Sequence, residues 1–98
     1  MAYEPRIKNE ATEVLVNSLL AVENAEECYR LLEDMCTVNE MLAMSQRLEV
    51  ARMLRANVTY HEIVEKTGAS TATISRVNRC LNYGAGGYNL VLQRLEDE

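Results

Sequence analysis

Arg76 and Arg79 stand three residues apart in the segment STATISRVNRCLN, and Thr71, Ala72 and Ser75 share their side of any helix drawn through it. A guanidinium is a rigid, planar fork of N–H donors that matches a phosphate or the O6/N7 edge of guanine. The short neighbours let a helix backbone come close to a surface without steric conflict. On the other side Ile74, Val77 and Leu81 recur at three- and four-residue spacing, which is the apolar stripe of a helix packed on a core. A helix of this kind fits a major groove about 12 Å wide. No acidic or large apolar residue interrupts the outward face, whereas a merely solvated helix usually mixes in Glu or Asp. Arg76, Arg79, Thr71, Ala72 and Ser75 are therefore expected to read bases, beside Ser70 at the helix start. Lys66, Arg55 and Arg52 are expected to hold phosphates, with pairing along its own helix as the alternative for Arg52.

The elements that must position this helix can be followed along the chain. Thr59 and Glu62 form a capping box that opens a short helix, with Ile63 and Val64 facing inward. Gly68 comes where that helix must end in a left-handed conformation, and Ser70 is a good N-cap for the next one. The two helices and their glycine turn make a helix–turn–helix; a plain packing hairpin would share the caps but not the cationic outward face. Upstream, the pattern predicts a helix from just after Pro5, with Ile7, Ala11, Val14, Leu15, Leu19 and Val22 on one face. Asn24 and Glu27 start a second, short helix bearing Cys28, Leu31, Leu32 and Met35. Thr37 and Glu40 cap a third that runs to about Ala56, with Met41, Met44, Leu48, Ala51 and Leu54 pointing inward. A glycine-rich loop from Tyr83 to Tyr88 leads to a last helix capped by Asn89 and bearing Leu90, Val91 and Leu95. No alternating stretch supports a strand, so the fold class is all-α.

Ninety-eight residues are expected to form a single domain. Within it, residues 1–36 supply dimerisation helices, 37–82 the third helix and the helix–turn–helix, and 83–98 the glycine loop and the last helix. Val16 and Leu20 widen the apolar surface of the first helix beyond one stripe, which predicts a homodimer packed across its two-fold; a monomeric core is the plainer alternative. Pairing also places two recognition helices roughly 34 Å apart, one helical turn of DNA.

Other chemistries find little support. The lone His61 has no serine or cysteine partner arranged for nucleophilic attack, so an enzyme is not expected. Cys28, Cys36 and Cys80 lack close pairing, as reduced thiols of a cytoplasmic protein do. With His61 they fit no common zinc spacing, and no metal is expected. Gly84, Gly86 and Gly87 follow no strand and precede no Lys-Ser/Thr pair, unlike a phosphate-binding loop. Neither a membrane span nor a secretory leader is expected from the sequence.

The net charge of −5 is unevenly spread: residues 1–46 sum to −6, residues 47–82 to +3 and residues 83–98 to −2. The positive field is thus confined to the helix–turn–helix and the end of the helix before it. Acidic segments farther off than about 8–10 Å are largely screened at ordinary salt. That is a local nucleic-acid footprint within an acidic chain.

The run GASTATISR followed by NRCLNYG resembles the Trp repressor superfamily, and within it the Trp-repressor-related YerC/YecD-like branch, most strongly from about Thr37 to Gly87. The resemblance implies an intertwined, all-helical homodimer that binds double-stranded DNA. It also implies an effector pocket beside the recognition helix, where the best-known member binds tryptophan. Arg47 and Arg76 match the two arginines that flank the bound indole, Thr73 a neighbouring pocket residue and Thr37 a further one. Where the repressor has glycine after the second arginine, this chain has Val77. Its isopropyl group would occupy space the ring needs, and such overpacking costs about 1–3 kcal/mol. The expected function is a dimeric, sequence-specific transcriptional regulator that represses by occupying its operator, with no cofactor and an effector, if one exists, other than tryptophan. The alternative is a helical protein-interaction module, sigma-factor-like or antitoxin-like, that does not read DNA.

Overall fold

The computed structural model describes residues 3–97, and these form six helices and no strand. In chain order they are α1 (Glu10–Ala21), α2 (Ala25–Met35), α3 (Val38–Arg55), α4 (Tyr60–Thr67), α5 (Thr71–Tyr83) and α6 (Gly87–Glu96). The chain, expected to form one domain, gathers into two compact units, one ending at Thr37 and the other beginning at Val38.

In the N-terminal unit, α1 starts later than the position just after Pro5 read from the pattern. Asn9 is the cap: its side-chain oxygen accepts from the Thr12 N–H at 2.9 Å, and its own N–H donates to the Thr12 hydroxyl at 2.8 Å. This reciprocal pair satisfies two backbone donors that a helix leaves orphaned, so the boundary is set there and Ile7 lies before the helix. Asn24 caps α2 through the Glu27 N–H, but the Glu27 carboxylate reaches back to the N–H of Glu23, one residue before the cap. Neither α1 nor α2 contains a buried residue, and Val14, Val16 and Leu20 stand exposed, Leu20 at 77%.

The C-terminal unit holds the core. Val50, Ala51 and Met53 of α3 pack with Ile63 of α4, Ile74 and Val77 of α5, Ala69 of the intervening turn and Leu92 of α6. The inward face of α3 therefore runs through Val50 and Met53 rather than Leu48, which is 45% exposed. Ala51 lies in the core and Leu54 packs partly against it, as expected, while Met41 and Met44 are half-buried; Leu48 is the residue of the expected stripe that stays exposed.

Of the three left-handed residues, Asn57, Gly68 and Gly86, the first two shape the joints on either side of α4. Asn57 (φ 62) ends α3: the Val58 N–H donates to the Met53 carbonyl and the Asn57 N–H to the Leu54 carbonyl, each at 3.0 Å. This is a Schellman closure with asparagine, which tolerates the left-handed region better than other side chains. Gly68 (φ 72) ends α4 as anticipated, and its N–H donates to the Val64 carbonyl at 2.9 Å. Thr67 braces the turn beside it, donating its hydroxyl to the Ile63 carbonyl and accepting from the Ala69 N–H.

The start of α6 differs from the expectation. Gly86 takes the cap position, and Asn89 lies inside the helix, where its amide donates to the Leu81 carbonyl of α5 at 3.0 Å. Before it, Gly84 ends α5 in a conformation where an added Cβ would collide with the Cys80 carbonyl oxygen.

Ile74 is fully buried and Ser75 is exposed. Ile74→Ala is expected to lower unfolding stability by about 2–5 kcal/mol, whereas Ser75→Ala stays within about 0.5 kcal/mol. Urea titration of both variants checks this; similar losses would contradict the packing of α5.

Candidate nucleic-acid interface

α5 owes its register to the stripe. Ile74 and Val77 lie fully in the core and Leu81 packs partly against it, so the helix can turn only one face outward. Ser70 caps it by accepting from the Thr73 N–H at 3.1 Å, and the two hydroxyls meet at 3.1 Å. Thr71, Ala72, Ser75, Arg76 and Arg79 are all exposed on that outward face, as is Ser70 at its head. Ala72, Thr73, Ser75, Arg76 and Arg79 border a shallow depression of about 360 Å³.

The electrostatics of this face are uncompensated. Among the described residues Arg76, Arg79 and the exposed Lys66 of α4 form no ion pair with the protein, so their cationic groups stay available to an outside anion. Helices α1 to α4 each carry an acid in the first turn, whereas α5 carries none. The partial positive charge at its N-terminus is thus not neutralised by its own side chains. Nearby, His61 is paired with Glu65 at 3.1 Å across one turn of α4.

Two arginines expected at phosphates are placed otherwise. Arg52 pairs with Glu49 one turn back on α3, the alternative already open to it. The side-chain hydrogen bond from Arg52, more than its field, holds the Glu49 carboxyl below its ordinary range. Arg55 is drawn away from solvent, its side chain only 19% exposed. Its guanidinium donates to Asn89 at 2.7 Å and Gln93 at 2.9 Å and pairs with Glu96 at 3.2 Å, all on α6. A guanidinium already engaged by three acceptors is not free to hold a phosphate, and Arg55 leaves the candidate set.

The residues assigned by resemblance to an effector pocket fall in three places. Arg47, Arg76 and Val77 border one cleft of about 380 Å³, together with Cys80 and Tyr88. Val77 contributes while being only 1% exposed, so its side chain belongs first to the core. Thr73 borders the outward depression instead. Thr37 is the last residue of the N-terminal unit, and the cleft lies wholly in the other.

Sequence reasoning missed the polar ties that seat the helix–turn–helix. Gln46 of α3 donates to the Thr67 carbonyl at 3.1 Å, satisfying a carbonyl at the end of α4. Asn89 does the same for Leu81 near the end of α5. Both carbonyls sit where a helix leaves acceptors unpaired, which is the one signal that could have prompted a search for donors elsewhere in the chain.

Comparison with known proteins agrees with this architecture. The family model described as Trp repressor protein matches residues 10–96. A relative from Bacillus subtilis (strain 168), the uncharacterized protein YerC, is 52% identical over 92 residues, covering 94% of this chain and 88% of its own. Among solved structures, a TrpR-like protein from Eubacterium eligens ATCC 27750 superposes with a TM-score of 0.88 at 55% identity, covering 93% of this chain and 94% of its own. A proposed Trp repressor from Staphylococcus aureus gives the same TM-score at 45% identity, covering 95% of this chain and 93% of its own. With a family model spanning six helices and relatives this similar over nearly their whole length, the chain belongs to the Trp repressor family.

Proposed function

We propose that the protein is a homodimeric, sequence-specific DNA-binding transcriptional regulator that represses by occupying its operator. The observation that carries this reading is the outward face of α5: two exposed, unpaired arginines among short side chains, on a helix fixed by a dry core. Arg76 and Arg79, with Thr71, Ala72 and Ser75, read base edges in the major groove. Ser70 and the N-terminal amides of α5 meet the phosphate backbone, as does Lys66, and Arg52 joins them only by giving up Glu49.

Dimerisation is supported by α1 and its lead-in, whose Ile7, Val14, Val16 and Leu20 are left exposed within one chain. A second copy is the partner that would cover such a surface symmetrically. Two recognition helices then read two half-sites together, which compensates for the few base contacts one short helix makes.

The cleft beside Arg47 and Arg76 is where an effector would bind. Val77 occupies the space over which an indole would have to lie on bare backbone, so the effector is a molecule other than tryptophan. In a thermal-shift experiment millimolar tryptophan is expected to leave the midpoint unchanged; a clear rise would refute the role given to Val77.

Selection of bound fragments from a random pool is expected to return a two-fold symmetric consensus. Against that site Arg79→Ala weakens binding by about 1–3 kcal/mol and relaxes preference at one base position, while Lys66→Ala weakens all sequences alike. Affinity should fall linearly with salt on a log–log plot, because released counterions drive phosphate binding. Failure to retain DNA at low salt, alongside recovery of one protein partner, would favour an interaction module instead.

A further inference from the structure

We infer that Asn89, oriented by Arg55, is a positioning residue that fixes the far end of α5 and thereby governs the protein's discrimination between DNA sequences, without touching DNA. The inference rests on the DNA-reading role of α5. Its physical basis is the way that helix is fastened. The first half of α5 is seated by the burial of Ile74 and Val77 and by the turn before it, which Gln46 ties to α3. The second half has less to hold it: Leu81 is only partly buried, Asn78 half-exposed, and Arg79, Cys80 and Asn82 exposed. Two bonds close its last turn, the Gly84 N–H to the Cys80 carbonyl and the Asn89 amide to the Leu81 carbonyl. Of these two bonds only the second comes from another element, α6, and it adds a directional tie to the packing of Leu81 and Tyr88 on the core.

Asn89 makes that bond in one orientation. Arg55 donates to its Oδ1 at 2.7 Å, which assigns the oxygen to α3 and leaves the amide hydrogens for Leu81. Gln93 and Glu96 complete the cradle of the guanidinium. The arrangement spends stability, since Arg55 Nε is buried with no partner among the described residues. Apolar residues of similar volume would pack α3 on α6 without that penalty. What the polar relay provides is direction: it fixes the distance and rotation of the α5 end that bears Arg79, two residues before Leu81. A rotation of the helix about its buried stripe would move a guanidinium fork off a base edge while phosphate contacts, which tolerate displacement, persisted.

The test compares wild type, Asn89→Ala and Asn89→Asp in the full-length protein, at a temperature where circular dichroism shows all three folded. Asn89→Asp keeps an acceptor for Arg55 but has no hydrogen to give Leu81, so it removes one bond of the relay and guards against misfolding of the alanine variant. The readout is the ratio of affinities for the selected site and for random DNA of equal length, which cancels any uniform effect of the added charge. Both variants are expected to lower that ratio about three- to tenfold, with the salt slope on random DNA unchanged. Faster hydrogen exchange at the amides of residues 80–84 should accompany the loss. A ratio unchanged in both variants, or an equal loss on both DNAs, overturns the positioning role while leaving the DNA-reading role intact. A wild type that binds neither DNA refutes the DNA-reading role, and the inference falls with it.

Discussion

The structure depends on one contact surface: the second half of α3, through Val50, Ala51 and Met53, against Ile63 of α4 and Ile74 and Val77 of α5. Ala51 is fully buried among these larger neighbours, and Ala69, 2% exposed, is the buried residue inside the turn. Neither α4, with eight residues, nor α5, with thirteen, would be stable as an isolated helix. Their helicity is a product of that shared surface. So is the rotation of α5, since burying Ile74 and Val77 leaves Thr71, Ala72, Ser75, Arg76 and Arg79 nowhere to point but outward.

From that constraint the division of labour among the arginines follows. Five of them lie on α3 or α5 in the positive stretch, and their sequence context looks alike. Their surroundings do not. Arg52 finds Glu49 on its own helix, and Arg55 finds three acceptors on α6. Arg76 and Arg79 find none, because the face they share carries no acid. A cation is available to an outside partner only when the fold offers it nothing better. By that measure the interface is narrower than the charge pattern along the chain implies.

What the sequence disclosed, and what it hid, divides along the range of the interactions. The caps at Asn24, Thr59 and Ser70, the left-handed Gly68 and the stripe on α5 were legible, since each is a matter of residues three or four apart. Asn9 was passed over because Pro5 offered a more familiar helix start, although the Asn9–Thr12 pair is equally local. On α3, Ala51 and Leu54 were legible but Leu48 was preferred to Val50 and Met53, because two apolar stripes compete on that helix and only the positions of α4 and α5 decide between them. Asn89 was read as a cap from its neighbours; its true partners are eight residues back and thirty-four residues back. Arg55 could not be separated from Arg52 by any local rule. Gly84 was seen only as part of a glycine-rich loop, whereas the close carbonyl of Cys80 makes it a steric requirement.

The bare apolar surface of α1 carries a consequence for how the molecule comes to exist at all. α1 and α2 bury no residue fully within one chain, so in the proposed dimer part of their hydrophobic stabilisation would come only with pairing. The segment from Val38 onward, with its own dry interior, is under no such obligation. In the proposed dimer, mass action would act more on the unit ending at Thr37 than on the unit beginning at Val38, and the thermal midpoint would climb with protein concentration. The cell's copy number would thereby set how much of the population is competent, with no small molecule needed to make the adjustment.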